Sequence, residues 1–120
     1  MGLDMYLFKR QRARQEVGYW RKANQIRNWF DTHLSDGVEN CTERLVTREL
    51  LHELRDDCLK VLADHSLAEE LLPTCSGFFF GSTEYDDYYF EDLRDTVTII
   101  SNVLKNTDWD TEEIVYYEWW

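Results

Sequence analysis

Proline occurs once in this chain of 120 residues, at Pro73, and glycine occurs five times. No segment is rich in proline, glycine or serine and none repeats, so the sequence has nothing typical of a linker or a low-complexity tail. No apolar run approaches the roughly eighteen residues that a membrane span needs, and residues 1–20 lack the apolar core of a secretion signal. We therefore expect a single soluble domain over residues 1–120, in the cytoplasm and without a membrane partner.

Cysteine and the familiar catalytic motifs are equally scarce. Cys41, Cys58 and Cys75 are odd in number and too far apart for a Cys-x-x-Cys pair, which predicts free thiols in a reducing compartment. The histidines stand neither three nor four residues from one another or from a cysteine, so the sequence contains no local zinc pattern. Glycine-rich phosphate loops and the Gly-x-Ser-x-Gly nucleophile turn are absent. We expect no catalytic residue, no metal and no cofactor.

Acidic groups outnumber basic ones by 24 to 13, which gives a net charge of −11. The basic groups concentrate in residues 1–30, where seven of them face only Asp4 and Glu16. An acidic surface repels nucleic acid, so we expect no duplex nucleic acid partner, whereas the basic segment could concentrate a small anion. The alternative is that these cations pair with the acidic remainder of the chain. They are Lys9, Arg10, Arg12, Arg14, Arg21, Lys22 and Arg27.

Hydrophobic periodicity predicts an α+β domain with a small sheet, mostly antiparallel or mixed, covered on one face by about three helices. Alternating apolar residues predict a strand at 3–10, a loop at 11–16 and a short second strand at 17–20. Helical spacing begins at Arg21 and ends before Asp36-Gly37, and it returns at 47–63 and 90–106. A further turn or two of helix is expected at 66–72. The central strand is predicted at Phe78-Phe79-Phe80 and the last strand at 112–120, with the two ends of the chain paired.

Two segments are candidates for a binding site. Residues 77–90 hold seven aromatics, three acids and two hydroxyls, which fits either a ligand wall or a core strand that runs into a capped helix. Residues 19–25 place two aromatics before two cations and two amides where a strand enters a helix, an arrangement that suits a nucleotide. An ordinary buried tryptophan with surface cations is the alternative. The predicted ligand-binding residues are Tyr19, Trp20, Arg21, Lys22, Asn24, Ser82, Thr83, Tyr85 and Tyr88.

The residues Met1-Gly2-Leu3-Asp4-Met5-Tyr6-Leu7, then 18–26 with Trp29-Phe30, then Leu72-Pro73-Thr74 and 76–90 resemble a family of small proteins encoded by bacteriophages and prophages. The similarity runs nearly end to end. Members tend to have histidine where Arg27 stands, and their chain ends differ from Tyr116-Tyr117-Glu118-Trp119-Trp120. The resemblance implies an accessory protein that acts in the cytoplasm of the bacterial host cell, against host processes or antiviral defence.

Three functions are therefore compared. We expect a binding protein that captures a small anionic or nucleotide ligand, with Tyr19 and Trp20 stacking, Arg21 and Lys22 neutralising phosphate, and the remaining predicted residues reading or closing the site. One alternative is an inhibitor of a host or defence protein, which presents the carboxylates of Glu49, Glu53, Asp56, Asp57 and Asp64 on an open surface. The second alternative is an unrecognised enzyme that acts on a phosphorylated small molecule. Trp119 or Trp120 is expected to cover a partner subunit in a homodimer.

Overall fold

The structure, a computed structural model, describes residues 2–10, 14–77 and 80–120. Its strands are β1 (Asp4–Arg10), β2 (Arg14–Arg21), β3 (Arg44–Val46) and β4 (Glu113–Trp119), and its helices are α1 (Asn24–His33), α2 (Arg48–Ala63), α3 (Ala68–Leu71) and α4 (Asp87–Asn106). The strands form one antiparallel sheet in the order β2-β1-β4-β3. The predicted α+β class is confirmed. Within the described ranges no helix is long and apolar enough to cross a membrane.

The two ends of the chain pair in the middle of the sheet, as predicted. Asp4 lies opposite Trp119 and Arg10 lies opposite Glu113. Along β1, Met5 and Leu7 point into the core and are fully buried, whereas Tyr6 and Phe8 lie on the other face and are half-buried. Successive side chains of a strand point to opposite faces, so this alternation gives the sheet one face covered by helices and one aromatic outer face.

The long helices α2 and α4 follow the predicted helical spacing, and a side chain caps the start of each. Thr47 accepts a hydrogen bond from the Leu50 N–H at 3.1 Å and begins α2, and Asp86 accepts one from the Tyr89 N–H at 3.1 Å and begins α4. Each cap satisfies an N–H group that has no partner inside the helix. The buried residues of these two helices are Leu51, Leu54, Asp57, Cys58 and Val61 of α2, and Tyr89, Phe90, Leu93, Thr96, Ile100 and Val103 of α4.

Several predicted boundaries and one predicted strand differ from the structure. β2 begins at Arg14 rather than at residue 17, and α1 begins at Asn24 rather than at Arg21 because Lys22 has a positive φ of 56°. β3 was not predicted, because three residues give too short an alternation to recognise. Of the predicted central strand, Phe78 and Phe79 lie outside the described residues. Phe80 is buried but lies outside any strand, and its N–H donates to the Gly77 carbonyl.

Helix α1 supplies the cationic partner of a buried carboxylate on β4. Glu118 is fully buried, and its carboxylate accepts hydrogen bonds from Arg27 Nε at 3.2 Å, Tyr116 Oη at 2.7 Å and Trp120 Nε1 at 2.8 Å. A buried charge is tolerated only when it is paired and its remaining lone pairs are satisfied. The guanidinium of Arg27 also lies 5.1 Å from the centre of the Phe80 ring. Arg27 therefore joins α1 to β4 and to the segment before α4.

A second buried carboxylate, Asp57 of α2, corrects one prediction. Asp57 was expected on the solvated face of its helix, but it is buried and accepts a hydrogen bond from Trp29 Nε1 at 2.9 Å. Trp29 is itself almost fully buried and packs edge-on against Phe30. An inhibitor surface on α2 would therefore not include Asp57.

The side chain of Trp119 is 55% exposed, and the homodimer expected from the terminal tryptophans stays a prediction.

Gly18 of β2 lies directly beside Ile99 of α4. A Cβ atom at this position would stand 2.6 Å from Cγ2 of Ile99, a methyl group that the stiff β-branched side chain cannot swing away. We expect Gly18→Ala to lower the free energy of unfolding in urea by about 1–3 kcal/mol. The double variant Gly18→Ala/Ile99→Ala should lose less stability than the sum of the losses in the two single variants, because the change at Ile99 removes the clash. Strict additivity would contradict this account.

Candidate functional site

A cavity of about 290 Å³ lies at the corner where β2 turns into α1 and meets the start of α4. We call it the corner cavity. Arg21, Lys22 and Gln25 line it together with Gly81, Ser82 and the exposed residue Tyr88. The volume is at the lower end of the range for small-ligand sites. The two segments that the sequence singled out, 19–25 and 77–90, therefore do meet.

The backbone at this corner is held in an uncommon conformation. Lys22 and Gly81 both have positive φ angles, 56° and 92°, and a Cβ at Gly81 would stand 3.0 Å from the Lys22 carbonyl oxygen. A positive φ costs a residue with a side chain roughly 1–2 kcal/mol and persists only where the surroundings enforce it. The Lys22 N–H donates to the Leu3 carbonyl at 2.7 Å, which fixes the turn from the other side. The backbone of Lys22 is therefore held in place beside the cavity.

Ion pairing separates the basic residues of the N-terminal segment into two groups. Lys9, Arg10, Arg14 and Arg27 form salt bridges with carboxylates, as the pairing alternative predicted. Arg12 lies outside the described residues. Arg21 and Lys22 have no carboxylate partner among the residues that the structure describes. These two neighbouring cations are therefore available to an anion at the corner cavity.

A larger depression beside β3 has a different character. Its volume is about 360 Å³, and its two arginines are Arg10 and Arg44. Arg10 is paired with Glu43 and Glu113 at 3.4 and 3.2 Å, and Arg44 is paired with Glu39 at 3.5 Å. Because their charges are already balanced, they offer an anion less than Arg21 and Lys22 do.

Carboxylates complete the corner cavity. Glu84, Asp86 and Asp92 line it together with the cations. Burial raises the pKa of Asp92 to about 6, the hydrogen bond from Gln25 Nε2 at 3.2 Å opposes the rise, and the acids Asp95, Glu91 and Asp86 add to it. The cavity therefore presents positive charge, hydrogen-bond acceptors and one carboxyl group that takes up a proton close to pH 6.

The raised pKa of Asp92 predicts a pH-dependent stability. Between about pH 4 and pH 6 the folded chain holds a proton that the unfolded chain has lost, so the free energy of unfolding falls as the pH rises through this window. Asp92→Asn, which keeps an acceptor for Gln25, should be about 1 kcal/mol more stable than the parent at pH 7, after allowance for solvent screening, and equal to it at pH 4. Urea denaturation at the two pH values measures this. A gain that is the same at both values would show that Asp92 does not titrate in this way.

Four of the nine predicted site residues come together at the corner cavity, namely Arg21, Lys22, Ser82 and Tyr88. Tyr88 is 77% exposed, so one face of its ring is free to stack on a planar group. The Ser82 hydroxyl accepts a hydrogen bond from the Glu84 N–H at 3.0 Å and keeps its own proton to donate.

Trp20 and Asn24 have structural roles instead of lining the cavity. Trp20 is only 4% exposed, and its indole N–H donates to the Thr96 hydroxyl at 2.8 Å, so its ring has no free face for a ligand. The Asn24 amide donates to the carbonyls of Phe80 and Ser82 at 3.1 and 2.8 Å, and its oxygen accepts from the Cys75 N–H at 3.0 Å. Asn24 thereby fastens the aromatic segment to α1.

The remaining three predicted residues point away from the cavity or brace its outer edge. Tyr19 lies on the aromatic outer face of the sheet and donates to Asp4 at 2.6 Å, a hydrogen bond that raises the pKa of Tyr19 to about 12. The Tyr85 hydroxyl accepts from the Thr74 N–H at 3.3 Å, and the Thr83 carbonyl accepts from the Thr74 hydroxyl at 3.0 Å. Gln25 and Asp92 were missed, although Asp92 stands one turn after the predicted Tyr88 on α4 and Gln25 directly follows the predicted Asn24.

Comparison of the chain with protein-family models, with curated proteins and with solved structures finds no match. The resemblance to proteins of phages and prophages therefore stays a prediction from the sequence motifs. The geometry of the corner cavity is the basis of the function proposed below.

Proposed function

We propose that this chain is a non-enzymatic binding protein that captures a nucleoside phosphate in the corner cavity. The observation that carries the proposal is that Arg21 and Lys22, two cations without carboxylate partners among the described residues, line the same cavity as the exposed residue Tyr88. Neighbouring cations bind a phosphate, and an exposed aromatic ring stacks on a base.

The basic wall would hold the phosphate. A guanidinium offers two parallel N–H donors to two phosphate oxygens, and an ammonium adds a compact positive charge. The backbone of Lys22 is held by its contacts with Leu3 and Gly81, so no backbone freedom is lost there when a ligand binds. Arg21 and Lys22 are accordingly the residues to which we assign most of the affinity.

The other lining residues would recognise the nucleoside. The Tyr88 ring stacks on the base, and base–aromatic stacking contributes roughly 1–3 kcal/mol. The carboxylates of Glu84, Asp86 and Asp92 accept hydrogen bonds from ribose hydroxyls or exocyclic amino groups, as acidic residues do in other nucleotide sites. Three acids beside two cations also disfavour a small, highly charged anion. We therefore expect a nucleotide to bind more tightly than pyrophosphate.

The biological setting comes from the sequence resemblance. In a phage accessory protein, a binding site without catalytic machinery would remove a nucleotide or nucleotide signal that the bacterial host or its antiviral defence uses. This proposal gives a role to the binding pocket of a small acidic domain. It implies that the protein acts in the host cytoplasm.

Isothermal titration calorimetry tests the proposal with AMP, ADP, GDP and UDP as nucleotides and with adenosine and pyrophosphate as fragments. At least one nucleotide should bind more tightly than both fragments. Arg21→Ala should weaken that nucleotide by about 1.5–3 kcal/mol, because a charge-assisted contact is lost, and should leave the free energy of unfolding unchanged within about 0.5 kcal/mol. Arg48→Ala, at the exposed start of α2, is the matched control and should have no effect on binding.

Two results would contradict the proposal. One is the failure of all four nucleotides to bind with a Kd below 1 mM. The other is an unchanged Kd in both Arg21→Ala and Lys22→Ala while Tyr88→Ala is also silent, since the ligand would then lie elsewhere.

A second candidate is the acidic inhibitor of a host or defence protein. Glu49, Asp56 and Asp64 are exposed and form no salt bridge among the described residues, which supports this reading. The double variant Glu49→Lys/Asp56→Lys should abolish binding to a basic target and leave nucleotide affinity unchanged. Strong weakening of the activity by salt would favour the inhibitor, because exposed charges are screened more than those in a cavity.

A further inference from the structure

A histidine and two carboxylates meet where the end of α1 packs against the middle of α2. His33 is the last residue of α1, and Glu53 and Asp57 stand one turn apart on α2. One ligand atom of each residue lies within 4.8 Å of the other two. This cluster was not predicted, because the histidine is twenty residues from the nearer acid and the two helices bring them together. It lies apart from the corner cavity.

Trp29 orients two members of the cluster. The Trp29 carbonyl lies 2.8 Å from His33 Nδ1, and since a carbonyl only accepts, Nδ1 carries the proton and Nε2 of the neutral ring carries the lone pair. The indole N–H of Trp29 donates to Oδ2 of Asp57 at 2.9 Å and leaves Oδ1 free. The imidazole is also stacked on the indole, with ring centres 3.9 Å apart. Metal-binding histidines are held in this way, with the other ring nitrogen donating to a carbonyl or carboxylate.

The free atoms of the cluster are all electron donors. His33 Nε2 faces Oε1 of Glu53 at 3.8 Å, and within the described part of the chain no hydrogen-bond donor contacts this nitrogen, the Glu53 carboxylate or Oδ1 of Asp57. A neutral imidazole and two carboxylates sum to two negative charges. One imidazole nitrogen and two carboxylates with two negative charges between them form a donor set that suits a divalent transition-metal ion.

We propose that His33, Glu53 and Asp57 bind a divalent transition-metal ion, with Zn²⁺ as the reference ion. One imidazole nitrogen favours Zn²⁺ or Co²⁺ over Mg²⁺ and Ca²⁺, which prefer oxygen ligands alone. Ligand atoms around zinc are about 3.4 Å apart, so the cluster has to contract by roughly 1 Å. Glu53 allows this, because its side chain is 56% exposed and free to rotate toward the other two. The bound ion joins α1 to α2.

Metal titration of the full-length chain tests the site. The protein is stripped with EDTA, a Cys41→Ser background removes the exposed thiol, and Zn²⁺ and Co²⁺ are titrated by calorimetry and visible absorption. We expect one ion per chain and a Co²⁺ spectrum without thiolate charge transfer. His33→Ala and Glu53→Gln should each weaken binding at least tenfold. Glu49→Gln, one turn earlier on the same helix, is the matched control and should change the Kd less than twofold.

Trp29→Phe provides a separate readout. It keeps the carbonyl beside His33 and an aromatic ring beneath it, but removes the donor to Asp57, and loss of such an outer partner weakens a metal site roughly 10- to 100-fold. The proposal is overturned if Zn²⁺ binds no more tightly than 1 mM. It is also overturned if folded His33→Ala and Glu53→Gln, checked by circular dichroism, keep the parent Kd and stoichiometry, because the cluster would then be an ordinary His–Glu ion pair.

Discussion

Replacement of Arg27 by alanine is expected to lower the free energy of unfolding by about 3–5 kcal/mol. The change leaves the fully buried carboxylate of Glu118 without its only cationic partner among the described residues, with hydrogen bonds from Tyr116 and Trp120 alone. An uncompensated buried charge has this cost because the carboxylate cannot recover its hydration. Urea denaturation at pH 7, with EDTA present, measures the loss.

The control for this variant is Arg21→Ala, which removes the same side chain from an exposed position and should change stability by no more than about 0.5 kcal/mol. Arg27→Lys is informative as well. Lysine keeps the charge but lacks the planar guanidinium that contacts Glu118 through Nε. The loss of unfolding free energy in Arg27→Lys should therefore lie between the losses in Arg21→Ala and Arg27→Ala. A loss below about 1 kcal/mol for Arg27→Ala would mean that water reaches Glu118 and that the site is less dry than its burial indicates.

Trp29→Ala is expected to lower the free energy of unfolding by about 3–5 kcal/mol, because it opens a cavity the size of an indole in the core. It also removes the hydrogen bond to the buried carboxylate of Asp57. The measurement is again urea denaturation with EDTA present, so that no metal contributes to the stability of either protein.

Trp29→Phe separates the two causes. Phenylalanine retains most of the packing and loses the indole N–H, so this variant should cost only about 1–3 kcal/mol, the range for a buried acceptor left without its donor. If the phenylalanine and alanine variants lose the same amount, packing of the indole contributes little and the hydrogen bond to Asp57 accounts for the whole effect.

Strong periodicity made most of the fold predictable. The terminal strand at β1, the capped helices α2 and α4, and the pairing of the chain ends follow from alternating or helical spacing and from side-chain caps at Thr47 and Asp86. The start of α1 did not follow, because the positive φ of Lys22 is imposed by contacts with Leu3 and Gly81, residues far away in the sequence. The local sequence pattern does not predict such contacts.

The candidate site was half predictable for a similar reason. Tyr19 and Trp20 are neighbours on a strand, so they point to opposite faces and could not both have joined Arg21 at one cavity. The alternation of β2 already contained this restriction. Asp57 likewise falls on the apolar stripe of Leu50, Leu54 and Val61, at helical spacing, which indicated burial in spite of its charge. The His33 cluster gave no such sign, because its members come from two helices.

The pairing of β1 with β4 also restricts the order in which the chain can complete its fold. In the described structure β3 pairs only with β4, so a growing chain holds β3 and one edge of β1 open until residues 113–119 have been made. Arg10 and Glu113, which meet across this pairing, are 103 positions apart, and the entropy of closing so long a loop must be overcome before the contact is gained. Chains still on the ribosome that stop short of β4 therefore expose unpaired strand edges to chaperones or to one another.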